Sequence, residues 1–160
     1  MKRNGSFAVI IAMGVLWAVL TPRHVLAGDG EGIQGAWIVS ITGGPGTPPL
    51  PNWYRALATF TDDGGLIQTI TDPSIGTGHG RWSKLHGGRG FAVTTLLFRF
   101  DATGDFQGTL KARGTLTLDR SGNQFTGDPY VFEFFDRDGN FVGTGRGVAA
   151  GKRITVEPLP

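Results

Sequence analysis

The chain has 160 residues, with 15 Lys and Arg against 13 Asp and Glu, 27 glycines, nine prolines and no cysteine. The absence of cysteine excludes disulfide staples, thiolate metal ligands and lipid attachment to a cysteine at a processing site. The formal charge is +2, and where the cations sit decides what that charge means.

Lys2 and Arg3 open the chain, and an uncharged apolar run follows from Phe7 to Leu20. Val25 and Ala27 then supply the small-residue pattern that precedes a cleavage site, so residues 1–27 read as a secretory signal peptide. The run is shorter than the roughly 20 residues a spanning helix needs, and no later run could span a bilayer once the signal is removed. An uncleaved anchor is the alternative. Cleavage removes Lys2, Arg3 and Arg23 and leaves 12 basic against 13 acidic residues. The basic isoelectric point therefore belongs to the leader, and the mature protein is expected to bind neither nucleic acid nor an anionic membrane. The expectation is a secreted or periplasmic protein with one domain at 28–160.

Beyond residue 27 the apolar residues follow a period of two, which predicts an all-β fold. Strands are expected at 34–42, 53–61, 66–71, 80–85, 91–100, 108–118, 125–135 and 141–149, with a short piece at 153–157. Four segments place glycine four residues after an apolar residue: Phe60 to Gly64, Phe100 to Gly104, Leu118 to Gly122 and Phe135 to Gly139. Each predicts a hairpin, because aspartate accepts hydrogen bonds from amides just ahead of it and glycine takes the positive φ where the turn re-enters the ladder. Successive hairpins make a meander, and about eight strands curl into an up-and-down antiparallel β-barrel rather than leave two sticky edges. The interior of such a barrel is filled by side chains or holds one small ligand.

The start of the first strand, Gly35-Ala36-Trp37, resembles the Gly-x-Trp opening of calycin-type barrels, the lipocalins and avidins. The overall size, without a terminal helix, is closer to avidin or to allene-oxide-cyclase-like barrels. The chain also resembles uncharacterised secreted bacterial proteins with a Gly-His-Gly-x-Trp segment. The calycin resemblance implies that Trp37 closes one end of the barrel under an arginine from a late strand, Arg146 or Arg153, with Arg146 carried forward.

Charged side chains set the inward faces, because an unpaired charge inside a small barrel costs several kcal/mol. With Arg55, Lys111, Arg113 and Glu133 outside, Tyr54, Ala56, Ala58, Phe60, Leu110, Ala112, Leu116, Leu118, Tyr130, Phe132 and Phe134 point in. Arg99 placed outside sends Ala92, Thr94, Leu96, Phe98 and Phe100 inward. It leaves Phe91, Val93 and Leu97 on the outer face, alongside Val131 and Phe135, as a surface for self-association. Tyr54, Phe60, Trp82, Phe98, Tyr130, Phe132 and Phe134 are thus expected to line or fill the interior.

His79 and His86 are seven positions apart, so on an unbroken strand they face opposite ways about 23 Å apart and share no metal. No metal site and no cofactor are expected. His79 paired with Glu133 is the best candidate for acid/base work. Asp136 to Asn140 lacks the glycine position and the closing acid of a calcium loop and reads as a hairpin. The alternating Gly143, Gly145 and Gly147 leave space either for aromatic rings or for a ligand groove. The proline-rich stretch from Gly43 to Asn52 suits a lid or a plain connector.

The expected function is a secreted calycin-like barrel that binds a small apolar or aromatic molecule in its interior. Alternatives are a cofactor-free cyclase or isomerase of allene-oxide-cyclase-like type and a self-associating structural envelope protein. The reading leans away from an enzyme.

Overall fold

The computed structural model describes residues 32–44 and 53–159. The leader read at 1–27 and most of the proline-rich connection, 45–52, lie outside them. The described residues form eight strands and no helix: β1 (Gly35–Gly43), β2 (Trp53–Phe60), β3 (Gly65–Ile70), β4 (Gly78–Lys84), β5 (Gly90–Phe100), β6 (Phe106–Leu118), β7 (Gln124–Phe135) and β8 (Phe141–Arg153). Each pairs antiparallel with the next. β8 returns to β1 with Ala149 opposite Ile41, closing an up-and-down barrel. The last strand runs unbroken to Arg153, so the separate piece expected at 153–157 is instead the end of β8 and an exposed extension.

All four expected hairpins form. Gly64, Gly104, Gly122 and Gly139 have φ of 84°, 89°, 70° and 85°. In the two turns of the β5–β6 and β7–β8 hairpins the aspartate acts as a clamp. Asp101 Oδ1 accepts the amides of Thr103 and Asp105, both at 3.0 Å, and Asp136 Oδ1 accepts those of Asp138 and Asn140 at 3.0 and 2.8 Å. A carboxylate so donated to is easier to keep ionised. Asp101 is held below the usual carboxylate range by Thr103 and then the Asp105 amide, and Asp136 by the Asn140 side chain and amide.

The first end of the barrel carries the start of β1, the hairpins at 61–64, 85–89 and 119–123, and the exit of β8. The second end carries the connections at 71–77, 101–105 and 136–140. Between them the interior faces of β1, β2, β6 and most of β7 carry the expected residues. Trp37, Val39, Ile41, Tyr54, Ala58, Phe60, Leu110, Leu116, Tyr130, Phe132 and Phe134 are all buried.

β5 has the opposite register from the one its arginine suggested. Phe91, Val93, Thr95 and Leu97 point in, while Leu96 and Phe98 are 50% and 58% exposed. Arg99 stands at the last turn of the strand, where its guanidinium lies 5.6 Å from the Phe134 ring centroid and is not enclosed by the core. A charge at a strand end thus carries little penalty, whereas burying Phe91, Val93 and Leu97 stabilises by about 1.5–3 kcal/mol each. The aliphatic and aromatic residues decide the face. On β7 the pairing shifts between Gly127 and Tyr130, and this irregularity moves the inward face from Phe125 and Gly127 to Tyr130, Phe132 and Phe134. One extra residue in a ladder changes the phase of everything beyond it.

Candidate functional site

Buried aliphatic and aromatic side chains occupy the interior, and a space between Val39, Ala58, Gln68, Val93, Leu116 and Tyr130 measures about 10 Å³, room for about one water molecule. The alternating glycines of β8 account for part of this. A Cβ on Gly147 would lie 3.2 Å from the Phe132 ring and one on Gly151 2.2 Å from the Phe125 ring, so these rings occupy the space the glycines leave. Among the three alternating glycines, Gly147 is set against a ring, while a Cβ on Gly143 would meet nothing within 4 Å.

A few polar groups share this core. Gln68 and Thr95 are buried, and the Tyr54 hydroxyl finds no hydrogen-bond partner among the described residues. Burial raises the Tyr54 phenol far above its ordinary value, with Tyr130 and Asp72 adding to the rise. Burial also pushes Tyr130 up to about 12. The nearby Thr95 hydroxyl pulls Tyr130 part of the way back, although no well-directed hydrogen bond joins the two. An ionised phenol is poorly solvated in such a place, and the neutral form is held.

The first end is sealed. Trp37 is fully buried, donates its Nε1–H to the Ile33 carbonyl at 2.8 Å and packs 5.0 Å from Phe125. The arginine above it is Arg153, whose Cζ lies 4.3 Å from the Trp37 ring centroid. Its guanidinium donates to the carbonyls of Gly32, Gln34 and Gly122. Arg146 is on the outer wall opposite Val131 and does not take this role. β8 continues past Ala149, and that extension brings Arg153 rather than Arg146 to the closed end.

The other sequence-derived candidates are dispersed. Tyr54 and Phe134 lie toward the second end, Tyr130 and Phe132 in the body of the barrel, and Phe60 at the first end with its ring edge-on to Phe125 at 6.4 Å. Trp82 is half-buried at the first end, donating its Nε1–H to the Thr61 carbonyl at 3.0 Å. Phe98 is outside. His79 is exposed on the outer face of β4, and Glu133 is on the outer face of β7, with β5 and β6 between them. Glu133 instead binds Lys111 at 3.3 Å and Arg113 at 2.6 Å. The proposed acid/base pair is therefore not assembled. Among the described residues no three His, Asp or Glu side chains converge as metal ligands.

Phe98, expected inside, joins other aromatic rings on the outer wall. One cross-strand line near the second end runs Phe98, Thr109, Phe135, Phe141 across β5 to β8. Phe98 stacks edge-on to Phe106 at 5.6 Å, and Phe135 meets Phe141 at 6.0 Å. Phe141 and Val142 are 60% and 59% exposed. The Lys111–Glu133–Arg113 cluster borders this band toward the first end. An apolar band with a charged border is the surface pattern of an interface. The available signal was that either parity of β5 leaves apolar residues outside, so that strand had to present one apolar face to its surroundings.

Comparison with family models, with curated proteins and with solved structures returned no match.

Proposed function

We propose that this protein is an exported, calycin-like barrel that works from its outside, associating with further copies of itself through the aromatic band of β5 to β8. The observation that carries this reading is the contrast between a core packed with buried side chains, where the space beside Tyr130 has room for about one water, and rings such as Phe98 and Phe141 left more than half exposed. Export rests on the charged, apolar and small-residue pattern of residues 1–27, and a calycin-like relationship rests on Gly35-Ala36-Trp37 together with the stacked Arg153. Among the described residues His79 and Glu133 stand apart on the outer wall, with β5 and β6 between them, so a structural or assembly role fits better than a cyclase.

A second reading, an interior site for a small apolar or aromatic molecule, is favoured by one observation: the buried Tyr54 hydroxyl lacks a partner among the described residues. A guest with an acceptor group would satisfy it, but only if neighbouring side chains moved aside. Sedimentation equilibrium tests the main reading. The mature chain is expected to associate with rising concentration, and Phe98→Ser with Phe141→Ser is expected to associate more weakly at an unchanged melting temperature. A wild-type chain that stays monomeric, or a double variant that associates as before, would overturn it.

A further inference from the structure

Near the first end, across β6, β7, β8 and β1, the outer wall holds a trough of about 540 Å³. Its floor is a cross-strand row of short side chains, Ser40, Ala150, Thr126 and Thr117, on β1, β8, β7 and β6. Ile38 and Lys152 stand beside that row, and Arg55 closes its β2 end. Neither Lys152 nor Arg55 has an ionic partner among the described residues.

The same molecule carries a segment without a place to go. After Arg153 the Ile154 amide bonds the Ala36 carbonyl at 2.8 Å, and residues 155–159 then continue beyond the barrel. Val156 and Leu159 are 96% and 93% exposed. Pro158 and Pro160 bias Glu157 and Leu159 toward extended or polyproline backbone. At three residues per turn, Val156 and Leu159 then share one side and Glu157 faces another.

We propose that this C-terminal segment, Ile154 to Leu159, docks in the trough of a second copy of the chain, with Val156 and Leu159 on the short side chains and Glu157 against Lys152 or Arg55. Length agrees: six extended residues span about 20 Å, and four neighbouring strands cover about 14 Å between outer axes. Charge agrees, because two unpaired cations meet the segment's single acid. The segment's own trough is a poor target, since it leaves the barrel along β1 and 154–160 contains no glycine to reverse it. The inference rests on the self-association reading and adds a second contact, at the other end from the aromatic band. Two separate contacts per chain allow assemblies larger than a dimer.

The test uses the synthetic peptide ITVEPLP, fluorescently labelled, and a chain ending at Arg153. The shortened chain is expected to bind the peptide, more weakly at high salt, and Thr126→Trp, which fills the trough from an exposed position, is expected to weaken binding on the order of tenfold or more. Lys152→Glu should do the same. The full chain should associate to a larger species than the shortened one. No peptide binding, or binding indifferent to Thr126→Trp, overturns the proposal. So does a full chain that refuses the peptide while remaining monomeric, since its own tail then fills the trough. If the peptide fails to bind but Phe98→Ser with Phe141→Ser still abolishes association, only the tail contact is wrong. If the peptide binds and that double variant associates normally, the aromatic band is the part that fails.

Discussion

At the first end of the barrel Trp37 lies beneath the Arg153 guanidinium and against Phe125, and the arginine's donors reach three backbone carbonyls. At the second end Arg99 lies over Phe134, the Tyr54 hydroxyl has no partner among the described residues, and Phe98 and Phe141 turn outward. Both ends stack an arginine on an aromatic ring. Only the first converts that stacking into a fully bonded plug, and the difference separates the end that contributes most to stability from the end with apolar surface left over for contact.

Trp37→Ala should break this contrast most severely. Removing a buried Trp costs about 3–5 kcal/mol, a large share of the stability of a domain of this size. Phe141→Ala at the second end should stay within about 0.5 kcal/mol. Chemical denaturation of both variants measures the difference, and equal losses would erase the distinction between the ends.

Alkaline unfolding is the next largest effect. The folded pKa values of Tyr54 and Tyr130 are raised, so the neutral phenols contribute stability that is fully present below the unfolded value of about 10. It is lost as the pH climbs toward the folded values, about 12 for Tyr130. For Tyr130 alone a rise of that size corresponds to roughly 2–3 kcal/mol. Phenolate absorbance should therefore appear together with loss of tertiary structure above pH 10. Two tyrosines titrating near pH 10 in a still-folded protein would place them in water.

Arg153→Met should remove about 1.5–3 kcal/mol through its lost charged hydrogen bonds, a larger loss than Arg146→Met on the exposed wall should cause. Thermal melts of the pair check which arginine closes the barrel. The smallest effect belongs to Tyr54→Phe, which removes a buried hydroxyl without a partner and should raise stability by about 1 kcal/mol. A loss of similar size would mean that this hydroxyl is bonded in the folded protein.

Much of the barrel was legible because its signals were local. Asp136-Arg137-Asp138-Gly139 states a hairpin within four residues, and Arg55, Lys111 and Glu133 fix the faces of strands whose charged residues lie mid-strand. Arg99 misled because it sits at a strand end, where its long side chain reaches past the core, and with it went the placement of Phe98. Phe125 escaped because the ladder irregularity between Gly127 and Tyr130 changes the phase of β7, a matter of pairing between strands that no period-two pattern in one strand records. Arg153 was misjudged against Arg146 because the glycines of β8 hid how far the strand continues. The band of exposed rings follows from all of these, since it depends on which neighbours β5 to β8 bring together.

Native mass spectrometry of the protein purified from its own host tests the central claim most directly, because one spectrum reports both what the core holds and how many chains travel together. The account predicts assemblies of bare polypeptide, with no retained organic molecule in any charge state. A monomer carrying the added mass of one small molecule, released on denaturation, would contradict it and move the site from the outer wall to the interior beside Tyr54.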